Sequence, residues 1–396
     1  MVQKIIKSNY MSKFVCIGSK CEDTCCNNFR IEIDKKRYEL YEHIEKKKGI
    51  PFLKNIIKNS NPTNDENFGI MKLNSNGTCS FLNNEKLCKI HIDYGVSALC
   101  NTCRYYPRYT KKINQKYYQT GLFSCPEIVR LVLLSKEIPD WSKTDIETTF
   151  VLEEHQVNEK YVEKVRKALK KILRNNKYSL SKRLWLISLY IRELQCKKQN
   201  TVETKLRLAS KRTKNNLNKE AQNLIALQIP LLLRSIFKAE MIKDPIAQRF
   251  IECVYLFKEG MKIRSNEQVN TEKILQNYQK NLHENYLPFF TQYNYILDNY
   301  CAYFFDIGLF PYTHKDLPKN YLLFIIGFSL LKFILVGISA SSHGLDTNII
   351  IKLFQSFAKV FHQSPKHQED VIGDIYNNLY NHFQDYESCI SILLSE

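Results

Sequence analysis

Thirteen cysteines occur in the chain, and nine of them fall in its first third. The first group has the spacing C-x4-C-x3-C-C, and the second has the spacing C-x8-C-x11-C-x2-C, with one further cysteine beyond it. In chain order the nine are Cys16, Cys21, Cys25, Cys26, Cys79, Cys88, Cys100, Cys103 and Cys125. Thiolates bind soft ions, and four of them complete a tetrahedral zinc site or hold an iron–sulfur cubane. The density of these residues predicts a metal site built from them.

The irregular spacing favours an iron–sulfur cluster, with zinc as the alternative. A structural zinc domain usually has two C-x2-C pairs about 15 to 20 residues apart, and only Cys100 and Cys103 form such a pair. The side chains of the adjacent Cys25 and Cys26 are expected to diverge, which suits the separated corners of a cluster better than one ion. A proline directly after Cys125 is also found in ferredoxin-like sequences. We therefore predict a cluster of the [4Fe-4S] type.

The other four cysteines and the start of the chain indicate a reduced environment. The isolated cysteines stand among apolar residues and are predicted to be small buried hydrophobes; they are Cys196, Cys253, Cys301 and Cys389. The first residues, MVQKIIKSNYMSKF, contain scattered lysines and no apolar run before a cleavage site, so they do not match a signal peptide. A cytoplasmic protein is expected, and disulfides are rare in that compartment.

Hydrophobic periodicity divides the chain near residue 130. In the first part, Phe29–Asp34 and the segments 69–74 and 117–123 are typical of short strands, residues 35–47 of an amphipathic helix, and 59–67 of a loop. The predicted fold class is mainly α. A small Cys-rich α+β metal-binding domain (residues 1–130) precedes a helical domain (residues 131–396).

The second part of the chain shows apolar residues at helical spacing. Residues 184–194, 224–237 and 250–261 predict helices after a break at 138–145, and Pro230 is expected to kink or divide the second of them. The apolar segment 321–340 is long enough to cross a bilayer. Because Lys332 stands in its middle, at a cost of about 3 kcal/mol for insertion, we predict a buried core helix and no membrane span.

The net charge of +18 is concentrated in residues 160–219, where nineteen Lys and Arg face three acidic residues. A basic stretch attracts nucleic acid, anionic lipid or an acidic protein. A Lys-rich composition on the solvated faces of helices explains the same count, and this interpretation is favoured. Residues 197–218 are expected to connect two helices or to form a basic loop.

A basic aromatic patch adjoins the second cysteine group: Arg104, Tyr105, Tyr106, Arg108 and Tyr109. Arginines here can compensate the negative charge of a cluster or bind the carboxylate of a cofactor in bidentate fashion. Alternatively, the tyrosines pack on the cluster and the arginines cap loops. The residue types alone leave both interpretations open.

The cysteine pattern resembles that of the flagellin lysine-N-methylase family. The first block matches C-x-G-x-x-C-x-D-x-C-C between aromatic residues, through Phe14, Cys16, Gly18, Cys21, Asp23, Cys25, Cys26, Phe29 and Asp34, where the family usually has Trp in place of Phe29. The second block matches through Gly77, Cys79, Phe81, Leu82, Leu87, Cys88, Cys100, Cys103, Tyr106, Pro107, Arg108, Ser124, Cys125, Pro126 and Glu127. The segment from Cys26 to Cys103 also resembles a wider zinc- or iron-chelating family, which shares Cys26, Cys79, Cys88 and Cys103 as the first candidates for ligands.

Similarity to the same family extends to the C-terminal part of the chain. It is carried by Glu284-Asn285-Tyr286-Leu287 and by the aromatic stretch that ends at Phe310-Pro311, whereas residues 140–270 show no match residue by residue. The resemblance implies transfer of a methyl group from S-adenosylmethionine to lysine ε-amines of flagellin. Tyrosines within matched segments are the catalytic candidates: Tyr105, Tyr106 and Tyr286. The candidates for binding the cofactor are Arg104, Arg108 and Asn285.

The sequence lacks the usual signatures for S-adenosylmethionine. It has only twelve glycines with no G-x-G-x-G-like loop, and the C-x3-C-x2-C motif of radical enzymes begins at Cys21 and then fails. A non-enzymatic iron–sulfur or zinc module for electron transfer or protein interaction is the alternative function, because the similarity to the wider chelating family supports it equally well. A zinc-dependent nucleic-acid binder ranks last, because no base-reading motif is present, and no nucleic-acid partner is expected. The oligomeric state is left open.

Overall fold

The computed structural model describes residues 2–49, 51–60, 64–195, 217–264, 270–307, 310 and 316–395. The chain divides into two compact units. The first, the cysteine unit, consists of Met1–Leu131, Trp141–His155 and Asp244–Ile246. The second, the helical unit, consists of Val132–Asp140, Gln156–Lys243 and Ala247–Glu396. The predicted predominance of helix is confirmed.

The larger sheet of the cysteine unit has five strands in the order β7-β1-β6-β5-β8. These strands are β1 (Val2–Ser8), β5 (Arg108–Ile113), β6 (Lys116–Gly121), β7 (Trp141–Thr148) and β8 (Val151–His155). Strands β5 and β6 form a hairpin whose two-residue turn places Asn114 at a φ of 52°, a conformation that asparagine tolerates well. Strand β1 is parallel to β6 and antiparallel to β7.

The smaller sheet has three antiparallel strands in the order β2-β4-β3, with β2 at Glu32–Ile33, β3 at Ile56–Lys58 and β4 at Gly69–Met71. A helix, Lys35–Lys48, follows β2 directly. It begins there because the carboxylate of Asp34 accepts a hydrogen bond from the backbone N–H of Arg37 at 3.0 Å, and it ends at Gly49, which has a φ of 66°. The other helices of this part are Lys89–Tyr94, Asn101–Tyr105 and Pro126–Leu133.

Besides β5, the hairpin partner of β6, three strands of the larger sheet were not predicted. Strand β1 lies in the lysine-rich start of the chain, and β7 occupies part of the segment expected only to break a helix. Strand β8 lies where the helical pattern was expected to have begun. Their partners are distant in sequence: Ile5 pairs with both Tyr117 and Asp145. A local pattern does not contain that information, since the strands gain their hydrogen bonds only from remote segments.

The helical unit is built almost entirely of helices. Their bounds are Glu159–Leu173, Leu180–Gln195, Leu217–Glu240, Gln248–Gly260, Thr271–Asn281, Leu287–Gln292, Tyr295–Ile307, Leu317–Ile338, Thr347–Phe357, Pro365–Gln368, Asp374–Phe383 and Tyr386–Leu393. Shorter π-helical segments are Leu282–Tyr286, Ala358–His362 and Glu369–Gly373. One helix runs through Pro230 without being divided there, contrary to one of the two expectations. Most of the connection expected at 197–218 lies outside the described residues.

The apolar helix Leu317–Ile338 lies inside the helical unit. It is the one helix in the described part of the chain that is long and apolar enough to cross a membrane, and 89% of its most apolar window is buried. Its burial is that of a core helix, as predicted.

Ion pairs also account for several basic residues of the described part of 160–219: Arg166 binds Asp306 at 3.0 Å, and Arg183 binds Asp298 at 2.8 Å.

Two helices of this unit approach so closely that their contact requires glycine. A Cβ atom at Gly260 would lie 1.9 Å from the carbonyl oxygen of Gly337. The amide of Asn281 also donates to the carbonyl of Gly260 at 2.9 Å, which fixes the end of that helix. Backbone atoms cannot move aside as a flexible side chain does, so an added methyl group must push the helices apart.

We expect Gly260→Ala to lower the free energy of unfolding by about 1–3 kcal/mol, the cost of overpacking a core. Gly327→Ala is the matched control, because its Cβ would meet only the Phe357 ring at 3.5 Å. Alanine favours a helix interior by roughly 0.5–1 kcal/mol over glycine, so the control should be neutral or stabilising. Thermal unfolding followed by circular dichroism measures both, and equal midpoints for the two variants would contradict the close contact.

Candidate functional site

Five cysteines are brought together in the core of the smaller sheet. Cys79 and Cys100 are buried there, and three others pack against the same core: Cys26, Cys88 and Cys103. Backbone hydrogen bonds hold their segments together, since the N–H of Cys79 donates to the carbonyl of Cys26 at 2.8 Å. Residue Cys88 is joined to the same region by a β-bridge to Leu82. We call these residues the five-thiol group.

Three of the nine cysteines stand immediately before a helix. Cys88 precedes Lys89–Tyr94, Cys100 precedes Asn101–Tyr105, and Cys125 precedes Pro126–Leu133. Backbone N–H groups in the first turns of these helices favour the thiolate form and act to lower the pKa of each thiol. Burial opposes them, and it raises the pKa of Cys125 to about 12. Pro126 occupies the first position of the helix, where proline is common because no backbone N–H is needed there. The Cys-Pro pair is therefore explained by the start of this helix and does not by itself indicate a cluster.

Two pairs of neighbouring thiols shift each other's pKa. The Cys103 thiol lowers the pKa of Cys100, and the Cys100 thiol together with burial raises the pKa of Cys103 well above the usual value. In the same way, the Cys25 thiol lowers the pKa of Cys26 to about 7. Cys26 packs against the core of the smaller sheet whereas Cys25 is exposed, and the expectation that their side chains diverge stays a prediction. Each pair has one sulfur predisposed to be a thiolate, the form that binds metal.

The remaining four cysteines interact with one another. The Cys125 thiol interacts electrostatically with those of Cys21 and Cys16, and the Cys25 thiol interacts with those of Cys16 and Cys125. An ion pair at 2.6 Å between Glu22 and Arg130 joins the segments that carry them. We call Cys16, Cys21, Cys25 and Cys125 the four-thiol group.

The donor chemistry of both groups fits a soft metal, because every candidate ligand is a thiol and all the described cysteines are free of disulfides. Within the described ranges, however, no three Cys, His, Asp or Glu side chains are arranged to hold an ion as they stand. Metal binding normally draws such ligands together as it completes the fold. The groups therefore supply candidate ligands, and the predicted metal stays a prediction.

Three side chains fix the backbone near the five-thiol group, and two of them, Arg37 and Tyr41, were not singled out by the sequence. The hydroxyl of Tyr41 donates to the carbonyl of Ala98 at 2.8 Å, and Arg37 Nε donates to that of Leu99 at 2.9 Å. A carboxylate oxygen of Asp34 accepts from the N–H of Asn101 at 3.3 Å. Together they fix the backbone on both sides of Cys100. Arg37 and Tyr41 are four residues apart and therefore lie on the same face of one helix, and this spacing is the one sign of their common role that the sequence contains.

The candidate catalytic and cofactor residues of the cysteine unit lie around the start of β5. The hydroxyl of Tyr106 lies 3.1 Å from the Ser124 hydroxyl, and its ring packs against Phe29 at 5.5 Å. The guanidinium of Arg104 lies 5.4 Å from the ring centre of Tyr105, which stacks on Phe150. Arg108 lies over the ring of Phe14 at 5.2 Å.

Burial raises the pKa of Tyr106 well above its usual value. The neighbouring thiols of Cys125 and Cys25 act in the same direction. The phenol therefore stays protonated at neutral pH, so it can donate a hydrogen bond and cannot serve as a base. The hydroxyl of Tyr109 donates a hydrogen bond to a carboxylate oxygen of Glu153, so this member of the basic aromatic patch has a structural partner.

The other two candidates belong to the helical unit. Tyr286 is buried and packs its ring against Phe290 at 4.5 Å, and Asn285 is half-buried. Both lie in the π-helical segment Leu282–Tyr286. Single π-helical turns occur frequently at functional sites. The roles predicted for these residues stay predictions.

Comparison with known proteins identifies relatives of the chain. A family model described as the FliB lysine N-methylase C-terminal domain matches residues 166–389. The lysine-N-methylases of Salmonella typhimurium and Salmonella choleraesuis are each 29% identical over 143 residues, which cover 36% of this chain and 35% of the relative. The flagellar biosynthetic protein FliU of Salmonella muenchen is 30% identical over 127 residues, covering 31% of this chain and 73% of FliU. The chain thus matches about a third of the length of the two lysine-N-methylases. No solved structure matches.

Proposed function

The chain belongs to the FliB lysine N-methylase family, and we propose that it transfers methyl groups from S-adenosylmethionine to lysine ε-amines of flagellin. The observation that carries the proposal is the family match over residues 166–389. The flagellar name of one relative supports the choice of flagellin as the substrate. A cytoplasmic location fits a protein that modifies a newly made flagellar subunit and whose described cysteines are free.

The reaction requires a neutral amine, since an ammonium has no lone pair. The pKa of a free lysine is about 10.4, so the site must remove a proton or exclude water from the substrate amine. S-Adenosylmethionine supplies an electrophilic methyl group: the carbon–sulfur bond breaks, a nitrogen–carbon bond forms, and the sulfur keeps the electron pair. The amine proton passes to a base or to solvent.

The candidate residues have distinct parts in this proposal. Arg104 and Arg108 are the groups able to bind a cofactor carboxylate, because a guanidinium pairs with it through two hydrogen bonds. The protonated Tyr106 is suited to orient a substrate through its hydroxyl. Tyr286 and Asn285 are the corresponding candidates of the helical unit. The cysteines hold an iron–sulfur cluster in this proposal, with zinc as the alternative.

The test uses anaerobically purified protein, S-adenosylmethionine labelled in its methyl group, and flagellin from the same organism. We expect label on flagellin lysines, identified by mass spectrometry of peptides. The same protein carrying Cys253→Ser should retain this activity, because that thiol is buried in the helical unit, where it donates to the Arg249 carbonyl at 3.6 Å. Protein with its metal intact that leaves every lysine unlabelled would refute the proposal.

The five-thiol group also supports a second candidate, a non-enzymatic metal module for electron transfer or protein interaction. Its thiols lie in a core, as the ligands of structural metal sites do. A module of this kind would show no affinity for S-adenosylmethionine. Isothermal titration calorimetry therefore separates the two functions, since tight binding of the cofactor is expected only for the methyltransferase.

A further inference from the structure

A row of lysines follows the exposed side of the helix Glu159–Leu173 in the helical unit. Lys160, Lys164, Lys167 and Lys171 recur at spacings of four, three and four residues, and all of them are exposed. Because residues three and four apart are neighbours on a helix surface, the row lies along one face. At 1.5 Å per residue it is about 16 Å long. We call these residues the lysine stripe.

We infer that the lysine stripe is the docking surface for an acidic helix of the protein substrate. The inference rests on the proposed methyl transfer to a protein and names the part of that substrate that is recognised. The reacting lysine of the substrate is a cation until it loses its proton, and this chain has a formal net charge of +18. The overall field therefore repels the reacting segment, so attraction has to come from acidic residues elsewhere on the substrate.

The opposite face of this helix is the one that the fold uses. Six of its residues are buried: Val162, Val165, Arg166, Leu169, Ile172 and Leu173. Cations on the inward side are ion-paired, since Arg166 lies 3.0 Å and Lys170 lies 3.6 Å from the buried carboxylate of Asp306. The helix is thus held in place by its apolar residues and inward ion pairs, and the lysine stripe is not needed for that purpose.

Neighbouring charges within the lysine stripe repel one another. Like charges three or four residues apart destabilise a helix. Lys167 lies 3.7 Å from the carboxylate of Glu163, but their side chains are 77% and 67% exposed, so water screens this pair. Carboxylates that recur at the same helical spacing on a partner would pair with the lysines and relieve the repulsion. The charge pattern is therefore complementary to an acidic helix packed alongside.

The surroundings of the lysine stripe favour a protein over a bilayer or a nucleic acid. The apolar face of the helix is buried in the unit, so it cannot insert into a membrane as an interfacial helix does. On one side, Glu163 would repel the continuous phosphate charge of a nucleic acid. On the other side, Tyr161 is 46% exposed and Ala168 is half-buried two turns further along, which gives apolar side chains of a partner helix a place to pack.

The first test is the affinity of the whole chain for flagellin of the same organism, measured by biolayer interferometry at several salt concentrations. The stripe variant carries Lys160→Gln, Lys164→Gln, Lys167→Gln and Lys171→Gln, and glutamine forms helices about as well as lysine. We expect affinity at low salt to fall about tenfold, the effect of several exposed charge pairs together. The remaining affinity should depend less on salt than that of wild type.

A control variant removes the same number of charges from another helix. It replaces four exposed lysines of the helix Lys35–Lys48 by glutamine: Lys35, Lys36, Lys46 and Lys47. This control should bind flagellin as wild type does. Equal affinity of the stripe variant and wild type would overturn the inference. A loss that appears with duplex RNA or with anionic vesicles, and not with flagellin, would overturn it as well, because it assigns the stripe to a different partner.

Methylation kinetics separate this inference from the proposed function. Docking away from the reacting amine stabilises the bound substrate and the transition state equally, so the stripe variant should have a raised KM and an unchanged kcat. A wild-type chain that leaves flagellin unmethylated would refute the proposed activity, whereas the comparison of affinities decides the role of the stripe in either case. A carbodiimide, which joins a lysine amine to a carboxyl group as an amide, should cross-link the stripe to acidic residues of flagellin. Mass spectrometry of the linked peptides then identifies the acidic helix.

Discussion

Cys103→Ser should remove metal from the five-thiol group and destabilise the cysteine unit. The serine hydroxyl is a poor ligand for a soft ion, and the free energy of metal binding in such sites is also free energy of folding. The change also removes the thiol that lowers the pKa of Cys100. We expect a loss on the order of several kcal/mol, measured as a lower midpoint in urea unfolding and as a lower metal content per chain.

Cys253→Ser is the matched control for this prediction. It makes the same replacement of sulfur by oxygen at a fully buried position of the helical unit, where the thiol contacts the Arg249 carbonyl at 3.6 Å. The hydroxyl can keep that hydrogen bond, so the cost should stay near about 1 kcal/mol, and the metal content should not change. If Cys253→Ser lost as much metal as Cys103→Ser, the loss would reflect general instability instead of ligation.

Local patterns predicted the elements that have local causes. The helix Lys35–Lys48 follows from its spacing and from the cap at Asp34, and the burial of Leu317–Ile338 follows from its composition. The strands β1, β7 and β8 depend on pairing between remote segments, which periodicity does not reveal. Residues 141–155 therefore belong to the cysteine unit, although they follow the helix Pro126–Leu133 and the sequence pattern becomes helical after Pro126.

The candidate site shows the same distinction. The types and density of the cysteines indicated metal chemistry directly, but sequence spacing grouped Cys26 with Cys25, Cys21 and Cys16. In the structure Cys26 packs in the core with Cys79, because the segment after it pairs with the residues around Thr78. Spacing along the chain cannot show which side of a turn each thiol faces, so the grouping depends on tertiary contacts.

Arg183→Met is expected to destabilise the helical unit by about 3–5 kcal/mol at neutral pH, the usual cost of removing one partner of a buried ion pair. The guanidinium binds both oxygens of Asp298, at 2.8 and 3.1 Å, and also donates to the carbonyl of Leu173 near a helix end. Its side chain is 7% exposed and that of Asp298 is 15% exposed. Methionine preserves the apolar contacts but leaves the carboxylate without its cation.

The loss should depend on pH in a defined direction. Burial raises the pKa of Asp298 above its usual value, and Arg183 opposes that shift. A carboxyl whose folded pKa is raised contributes most to stability below its unfolded pKa, and this contribution is lost as pH rises through the folded pKa. Removal of Arg183 raises the folded pKa of Asp298 further. The stability lost in the variant is therefore small where Asp298 is protonated, and it grows as pH rises toward neutrality and the carboxyl ionises.

Urea unfolding at several pH values measures this effect. The difference between wild type and Arg183→Met should be largest where Asp298 is ionised in both proteins and should shrink as pH falls and Asp298 in the variant becomes protonated. Lys167→Met is the control, because its pair with Glu163 at 3.7 Å is exposed and such pairs contribute about 0.2–1 kcal/mol. A difference for Arg183→Met that is small and independent of pH would show that the Asp298 carboxylate is solvated, since only a desolvated carboxylate needs its cation in this way.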